Sequence, residues 1–270
     1  MKTIISPTDF SDTSVNAVLF AADMALAVNA TLQIYHAIPD RVVLIDELDY
    51  DAEYAETEET MQRLDRLQEK VKSYTHHRLT VDVQLKYGNI DSVLEETCRQ
   101  VIPFAVVMSA TEKTAIERLI LGSKTVSVSH KLQVPLLLVP HEANFKGFKK
   151  MAIATDLTEV YATMPLDNLI HWIDAFKPAL EIVVVKEDNQ FKAENMSGAV
   201  ALQTHFEKYY PTVRYIQNNN IVEGIHTYLD ESCPDLLIVV PKKHFFFHKS
   251  LSRHFVIHPA VPTMLLSGVI

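Results

Sequence analysis

Residues 3–12 read TIISPTDFSD, and residues 151–160 read MAIATDLTEV. Each is an apolar, strand-forming run that ends in Thr-Asp, at Thr8-Asp9 and Thr155-Asp156. A repeat of this kind governs how every later motif is read, because each copy must then hold a full supersecondary series. The copies also close alike: QVPLLLVP (133–140) returns as AVPTMLLS (260–267), with Pro135 opposite Pro262. Between these ends, NIDSVLEETCRQVIPFAVVM (89–108) parallels NIVEGIHTYLDESCPDLLIVV (220–240). Both segments carry a cysteine shortly before an apolar run, so Cys98 and Cys233 are expected to be equivalent buried thiols. A disulfide between equivalent sites is the alternative, and free thiols are the commoner state for buried cysteines in a reducing compartment.

Within the first copy, short β-rich runs alternate with helical periods. After TIISP, residues Ala17, Phe20, Ala21, Met24 and Ala25 recur on one helical face, and TLQIYHAI follows. An acidic helix, TVDVQLKY, a helix through DSVLEETCRQ, FAVVM, a helix through KTVSVSHKL and PLLLVP complete the series. Strands alternating with helices predict an α/β fold: a doubly wound, five-stranded parallel sheet in each half. The domains are expected at 1–142 and 148–270, joined through HEANFKGFKK, which has the Gly and Lys of a linker. The second copy is shorter mainly because the first carries the acidic stretch DELDYDAEYAETEE (46–59). That stretch reads as a solvated helix face open to an interaction, with Tyr50, Tyr54 and nearby leucines anchoring it to the body. Ligands of such sheets bind outside the carboxyl ends of the strands, where Asp9 and Asp156 lie.

Composition narrows the function classes. Hydrophobic residues make up 48% of the 270, enough for real cores. A net charge of −9 repels nucleic acid and anionic membrane, so neither is an expected partner. The start, MKTIISPTDF, lacks a signal-type apolar stretch, and two cysteines suit a reduced, cytoplasmic protein. Apolar runs such as LLIVV (236–240) fall far short of the roughly 20 residues that span a bilayer.

At these residues the chain resembles the universal stress proteins, in their tandem two-domain form. The resemblance rests on PTDFSDTS (7–14), YGNIDSVL (87–94) and LILGSKTVSVSHKLQVPLLLVP (119–140). It implies an intrachain pseudo-dimer, with PLLLVP and PTMLLS paired or packed across a two-fold, and leaves room for a further dimer of chains or another protein partner. Members that bind ATP carry a glycine, two residues, a second glycine, nine residues, then Gly-Ser or Gly-Thr. Counted back from Gly122, the early glycines fall on Ser109 and Glu112. The resemblance places the strand-one aspartate that contacts the base region on Asp9 and the phosphate-contacting hydroxyl on Ser123. With ATP and Mg²⁺ bound, Thr125 would join Ser123 at the phosphates.

The missing glycines weigh against that site. Such a loop aims successive N–H groups at phosphate oxygens, and glycine permits φ > 0 and removes the obstructing Cβ. Glu112 facing a phosphate at about 4 Å costs roughly 1 kcal/mol in water and about 4 at intermediate dielectric, unless the loop turns it toward Lys113 or Arg118. Gly122-Ser123 also suits an ordinary helix N-cap, and helix N-termini attract anions in any case. Asp9 has its own ordinary role in capping a helix near Ser14 or ordering a turn. In the second copy, Pro241 and His244 take the glycine positions, Lys249-Ser250 stands opposite Gly122-Ser123, and Phe245, Phe246 and Phe247 suit a plug, with an exposed contact patch as the alternative.

His244, His248, His254 and His258 invite a metal, but no cysteine joins them, and a His-rich, partly solvated loop is the preferred reading. Nothing resembles a nucleophile elbow or a placed Cys-His pair. The expectation is a non-enzymatic stress-response protein with at most a degraded nucleotide or anion pocket in the first repeat. The alternative is an ATP-binding switch or slow ATPase.

Overall fold

The computed structural model describes residues 2–39, 50–110, 134–155, 157, 160–186, 193–240 and 260–266. The chain divides into two compact units, Met1–Ser109 and Ala110–Ile270. In the first, the strands are β1 (Lys2–Pro7), β2 (Ala30–Ile38), β3 (Val81–Tyr87) and β4 (Ala105–Ser109). They pair in parallel in the order β3-β2-β1-β4. Parallel neighbours need covered faces, and β4 is buried along its whole length, as an unbroken apolar run requires.

Helix α1 (Asp12–Val28) buries Ala17, Phe20, Ala21, Met24 and Ala25, the predicted face, against β1, β2 and β4. Small alanines let its backbone approach the sheet closely. Helix α2 (Tyr50–Tyr74) packs on β3 and α1. It is held by Leu64, Leu67 and Val71, a stripe at helical spacing. Tyr54 does not anchor it: that ring is 71% exposed, on the side of the helix away from the stripe. Helix α3 (Ile90–Val101) buries Val93, Leu94, Thr97 and Cys98.

The second unit repeats this series. Strands β6 (Lys150–Ala154), β7 (Ala179–Lys186), β8 (Thr212–Gln217) and β9 (Leu236–Val239) alternate with helices α4 (Val160–Thr163), α5 (Leu166–Phe176), α6 (Ala193–His205) and α7 (Ile221–Ser232). Where the first series has the single helix α1, the second has α4 and α5, parted at Pro165, which has no N–H to continue a helix. Strands β5 (Leu136–Val139) and β10 (Thr263–Leu265) also belong to this unit, giving the order β5-β10-β9-β6-β7-β8. All its pairings are parallel except that of β5 with β10, where Leu138 faces Thr263 and Leu136 faces Leu265. The two segments expected to meet therefore do so by antiparallel pairing. Phe148 and Trp172, both buried, form an edge-to-face and tilted aromatic cluster with the half-buried Phe145 and Phe176.

The cysteines are not equivalent. Helices α3 and α7 start from Asn89 and Asn220, and aligning those caps sets Cys98 against Leu229, both buried. Ile102 then matches Cys233: each ends its helix in left-handed backbone, φ 47° and 44°, and each N–H donates at 3.0 Å, to the carbonyls of Cys98 and Leu229. Cys233 is consequently exposed, and both thiols are free. The two cysteines therefore stand one helical turn apart in the repeat, an offset that the backbone caps reveal.

Candidate functional site

In the first unit the chain leaves β1 toward β2 on one side and returns, after β3, to β4 on the other. This reversal puts a switch point between β1 and β4, the place where doubly wound sheets receive ligands. Ile4 faces Ala105 and Ile5 faces Val106, so the same register carries Ser109 opposite Thr8 at the carboxyl ends. Ser109 is 3% exposed, whereas Asp9 lies exposed one residue past Thr8. The fold thus gathers two of the five predicted site residues at one end of adjacent strands. Gly122, Ser123 and Thr125 lie outside the described residues, as do Glu112, Lys113, Arg118, Asp156 and the segment from Pro241 to His258.

The turn after β1 is built from its own side chains. Thr8 N–H donates to the Tyr35 carbonyl at 2.8 Å, extending the β1–β2 ladder past Pro7. Phe10 N–H donates to Thr8 Oγ1 at 3.0 Å, a hydroxyl-closed turn that holds Phe10 at φ 63°. Asp9 Oδ1 accepts from Ser11 N–H at 3.0 Å and from Ser11 Oγ–H at 2.5 Å. Ser11 is the N-cap of α1, its Oγ accepting from Ser14 N–H at 3.2 Å. Thr8 Oγ1 and Ser14 Oγ lie 2.9 Å apart, and Asp9 N–H donates to Ser14 Oγ at 3.3 Å. Burial pushes the Asp9 carboxyl up, but hydrogen bonds from Ser11, Ser14 and the turn backbone outweigh it and hold the group below its ordinary value. Asp9 is ionised near neutrality, and it orders the turn that carries the cap.

A column of three side chains stands beside this turn. His36 Nδ1 lies 2.8 Å from the Thr8 carbonyl, which can only accept, so Nδ1 bears the proton. The His36 ring stacks on Phe10 with centroids 4.6 Å apart, and the Arg63 guanidinium of α2 sits 4.3 Å from the Phe10 centroid. The sequence marked Thr8 only as a strand end and Ser14 only as a helix start, and gave no site role to Phe10, Ser11, His36 or Arg63. Ser11 had a local signal, a serine just before a helical period. His36 and Arg63 had none, since β2 and α2 reach Phe10 only through the tertiary fold.

The second unit keeps the frame and changes the lining. Thr155 N–H donates to the Val183 carbonyl at 3.0 Å, and Leu157 N–H to Thr155 Oγ1 at 3.2 Å, with Leu157 at φ 62°. The Ser14 hydroxyl is replaced by the Met164 thioether, 3.9 Å from Thr155 Oγ1. Leu157, the counterpart of Phe10, is 1% exposed. Helix α6 crosses so near that a Cβ added to Gly198 would stand 2.0 Å from the Leu157 carbonyl oxygen. Among the described residues, no group of three or more His, Cys, Asp or Glu is placed to hold a metal ion, and no helix is long and apolar enough to cross a membrane.

The chain is similar in fold to a universal stress protein from Archaeoglobus fulgidus DSM 4304, at 16% identity, with 98% of each chain covered and a TM-score of 0.73. A functionally unknown protein from Pseudomonas aeruginosa PAO1 (9% identity, 99% of this chain and 93% of that one, TM-score 0.57) shares the fold. So does a putative universal stress protein from Pseudomonas aeruginosa UCBPP-PA14 (9%, 99% and 94%, TM-score 0.56). No curated protein sequence matches the chain. The model of the universal stress protein family matches residues 1–140, which include the β1 turn, the α1 cap and the β1–β4 switch point. With that match over more than half of its length, the chain belongs to the universal stress protein family.

Proposed function

We propose that the chain is a tandem universal stress protein, with repeats at 1–142 and 148–270, acting in stress response without catalysis. At most a degraded nucleotide or anion pocket remains in the first repeat. One observation carries this reading: the polar groups of the β1 turn are spent on structure. Asp9 holds Ser11, Ser11 caps α1, and Thr8 ties Phe10 and Ser14. The one carboxylate–hydroxyl pair in that turn, Asp9 with Ser11, joins a carboxyl held below its ordinary value to the hydroxyl that caps α1, while binding through backbone and carboxylate stays compatible with it. The absence of the two early glycines from the loop after β4 supports weak rather than tight phosphate holding. The repeated Thr-turn and the antiparallel β5–β10 pairing support the tandem, pseudo-dimeric reading. The two free thiols support cytoplasmic residence, since cysteines stay reduced in that compartment.

The second reading, an ATP-binding switch or slow ATPase with Mg²⁺, is favoured by the placement of Asp9 and Ser109 together at the switch point. There Asp9 would meet the base or ribose, with Ser123 and Thr125 at the phosphates. Calorimetric titration with Mg-ATP separates the two. The first reading expects binding weaker than micromolar and no phosphate release above background, with Glu112→Gly strengthening binding. Micromolar binding by the wild type, weakened by Ser123→Ala and accompanied by turnover, would establish the second.

A further inference from the structure

Strand β3 ends the first unit's sheet, with β2 as its one strand neighbour among the described residues. The direction of its outward backbone groups follows from the ladder. Leu32 N–H donates to the Thr80 carbonyl at 3.0 Å, and Gly88 N–H donates to the Ile38 carbonyl at 2.9 Å. In a parallel pair, alternate residues turn both backbone groups toward the neighbour. Thr80 and Gly88 bracket the strand with even-numbered residues facing β2. Val81, Val83, Leu85 and Tyr87 therefore send their N–H and C=O groups outward, and of these the Val81 carbonyl already accepts from Gln68 Nε2 of α2 at 2.9 Å.

We propose that this edge pairs with β3 of a second copy of the chain, antiparallel, about a two-fold axis through Gln84. This goes beyond the functional reading above and does not depend on it. About that axis, Val83 faces Leu85 and Val81 faces Tyr87 of the second copy. These are the outward-bonding residues, as antiparallel hydrogen-bonded pairs require. On the opposite face Asp82 meets Lys86 of the second copy twice, once on each side of the axis. Those are the non-hydrogen-bonded positions, where Cα atoms approach to about 4.5 Å and side chains interact most closely.

The register is specific. Moving the axis to Asp82 or to Lys86 puts like charges face to face, and moving it to Val83 or Leu85 leaves both charges without an opposite partner. Sheet edges are commonly guarded by charge that repels another edge. Here opposite charges stand symmetrically about the centre, so the edge is complementary to itself. Asp82 is exposed, with Gln84 Nε2 donating to its Oδ2 at 2.8 Å, and Lys86 Nζ lies 5.7 Å from the Tyr35 ring centroid on β2, so each exchanges a contact within its own sheet for the pairing across the edge. The edge strand of the second unit, β8, offers no such match. Its one charge, Arg214, is directed to Glu181, and no acid on the strand answers it. A two-fold pairing through β3 uses the same surface on both copies and closes after two chains.

Sedimentation of the full chain tests this, with Asp82→Lys, Lys86→Asp and the double swap. The wild type is expected to dimerise reversibly. Each single reversal creates two like-charge contacts and raises the dimer dissociation constant about tenfold or more, and the double swap restores association. In a Cys233→Ser background, Gln84→Cys is expected to oxidise to a cross-linked dimer, because residue 84 meets its own copy on the axis. Asp82→Cys in the same background would not, because it meets residue 86. A monomeric wild type across the micromolar to sub-millimolar range, a dimer indifferent to both single reversals, or cross-linking no better at 84 than at 82 would overturn the proposal.

Discussion

Phe10 and Leu157 occupy the same left-handed turn, φ 63° and 62°, each held by its N–H donating to a threonine hydroxyl two residues earlier, Thr8 and Thr155. Neither is a residue that favours positive φ, a conformation that costs a side-chain-bearing residue on the order of 1–2 kcal/mol. The threonine hydroxyl is thus the restraint that keeps each β-strand end in place.

Thr8→Val is expected to destabilise the protein by about 1–3 kcal/mol, because it strands the Phe10 N–H and takes one partner from the Ser14 hydroxyl, which keeps the Ser11 carbonyl and Asp9 N–H. Thr155→Val loses less, since the Met164 thioether is a weak acceptor. Urea unfolding of both variants, at constant m, checks the order.

Gly198→Ala adds a methyl that would lie 2.0 Å from the Leu157 carbonyl oxygen, against backbone rather than a flexible side-chain tip. Helix α6 must shift, and a loss of about 1–3 kcal/mol is expected despite alanine's better helix propensity. A rise in thermal midpoint for this variant would contradict the packing described.

Glu181 on β7 is 7% exposed; it accepts from Tyr228 Oη–H at 2.5 Å and pairs with Lys150 at 3.3 Å and Arg214 at 3.4 Å. Burial pushes its carboxyl up, and the Tyr228 hydrogen bond with the Lys150 and Arg214 charges outweighs burial, so its folded value is depressed. A depressed carboxylate contributes stability above its unfolded value of about 4.3, lost as pH falls through the folded value. Glu181→Gln is expected to flatten the acid limb of stability against pH. Tyr228→Phe should cost about 1.5–3 kcal/mol at neutral pH, the range for a hydrogen bond to a charged group.

The thiols should react in two phases. Cys233 is exposed, while burial holds Cys98 within α3 and pushes its thiol up to about 12. Ellman titration of native protein should show one fast thiol, removed by Cys233→Ser, and a second only after denaturant.

Arg63 over Phe10 is a cation–π contact at an exposed helix position, 4.3 Å from the ring centroid. Arg63→Ala is expected to cost about 0.5–1 kcal/mol, read by chemical denaturation, and Arg63→Lys to retain part of it.

Much of this molecule was legible in one dimension. The Thr-Asp repeat located β1 and β6, helical spacing picked out the buried face of α1, and the two Pro-led apolar runs marked β5 and β10. These signals are local: hydrophobic period and turn chemistry depend on near neighbours in the chain. What the sequence misjudged or missed depends on neighbours across space. Tyr54 lay on the solvent side of α2, and Cys233 fell on a helix cap rather than in a helix face. Arg63, His36 and Phe10 stacked only because three separate elements converge at one strand end. The sequence by itself determined the family, the repeated α/β series and the aspartate at the end of β1. The tertiary structure decided that Asp9 braces the helix cap and that Leu157 is buried where Phe10 stacks with His36 and Arg63. Which groups meet at a strand end is set by the lateral order and register of the sheet, and no run of consecutive residues encodes either.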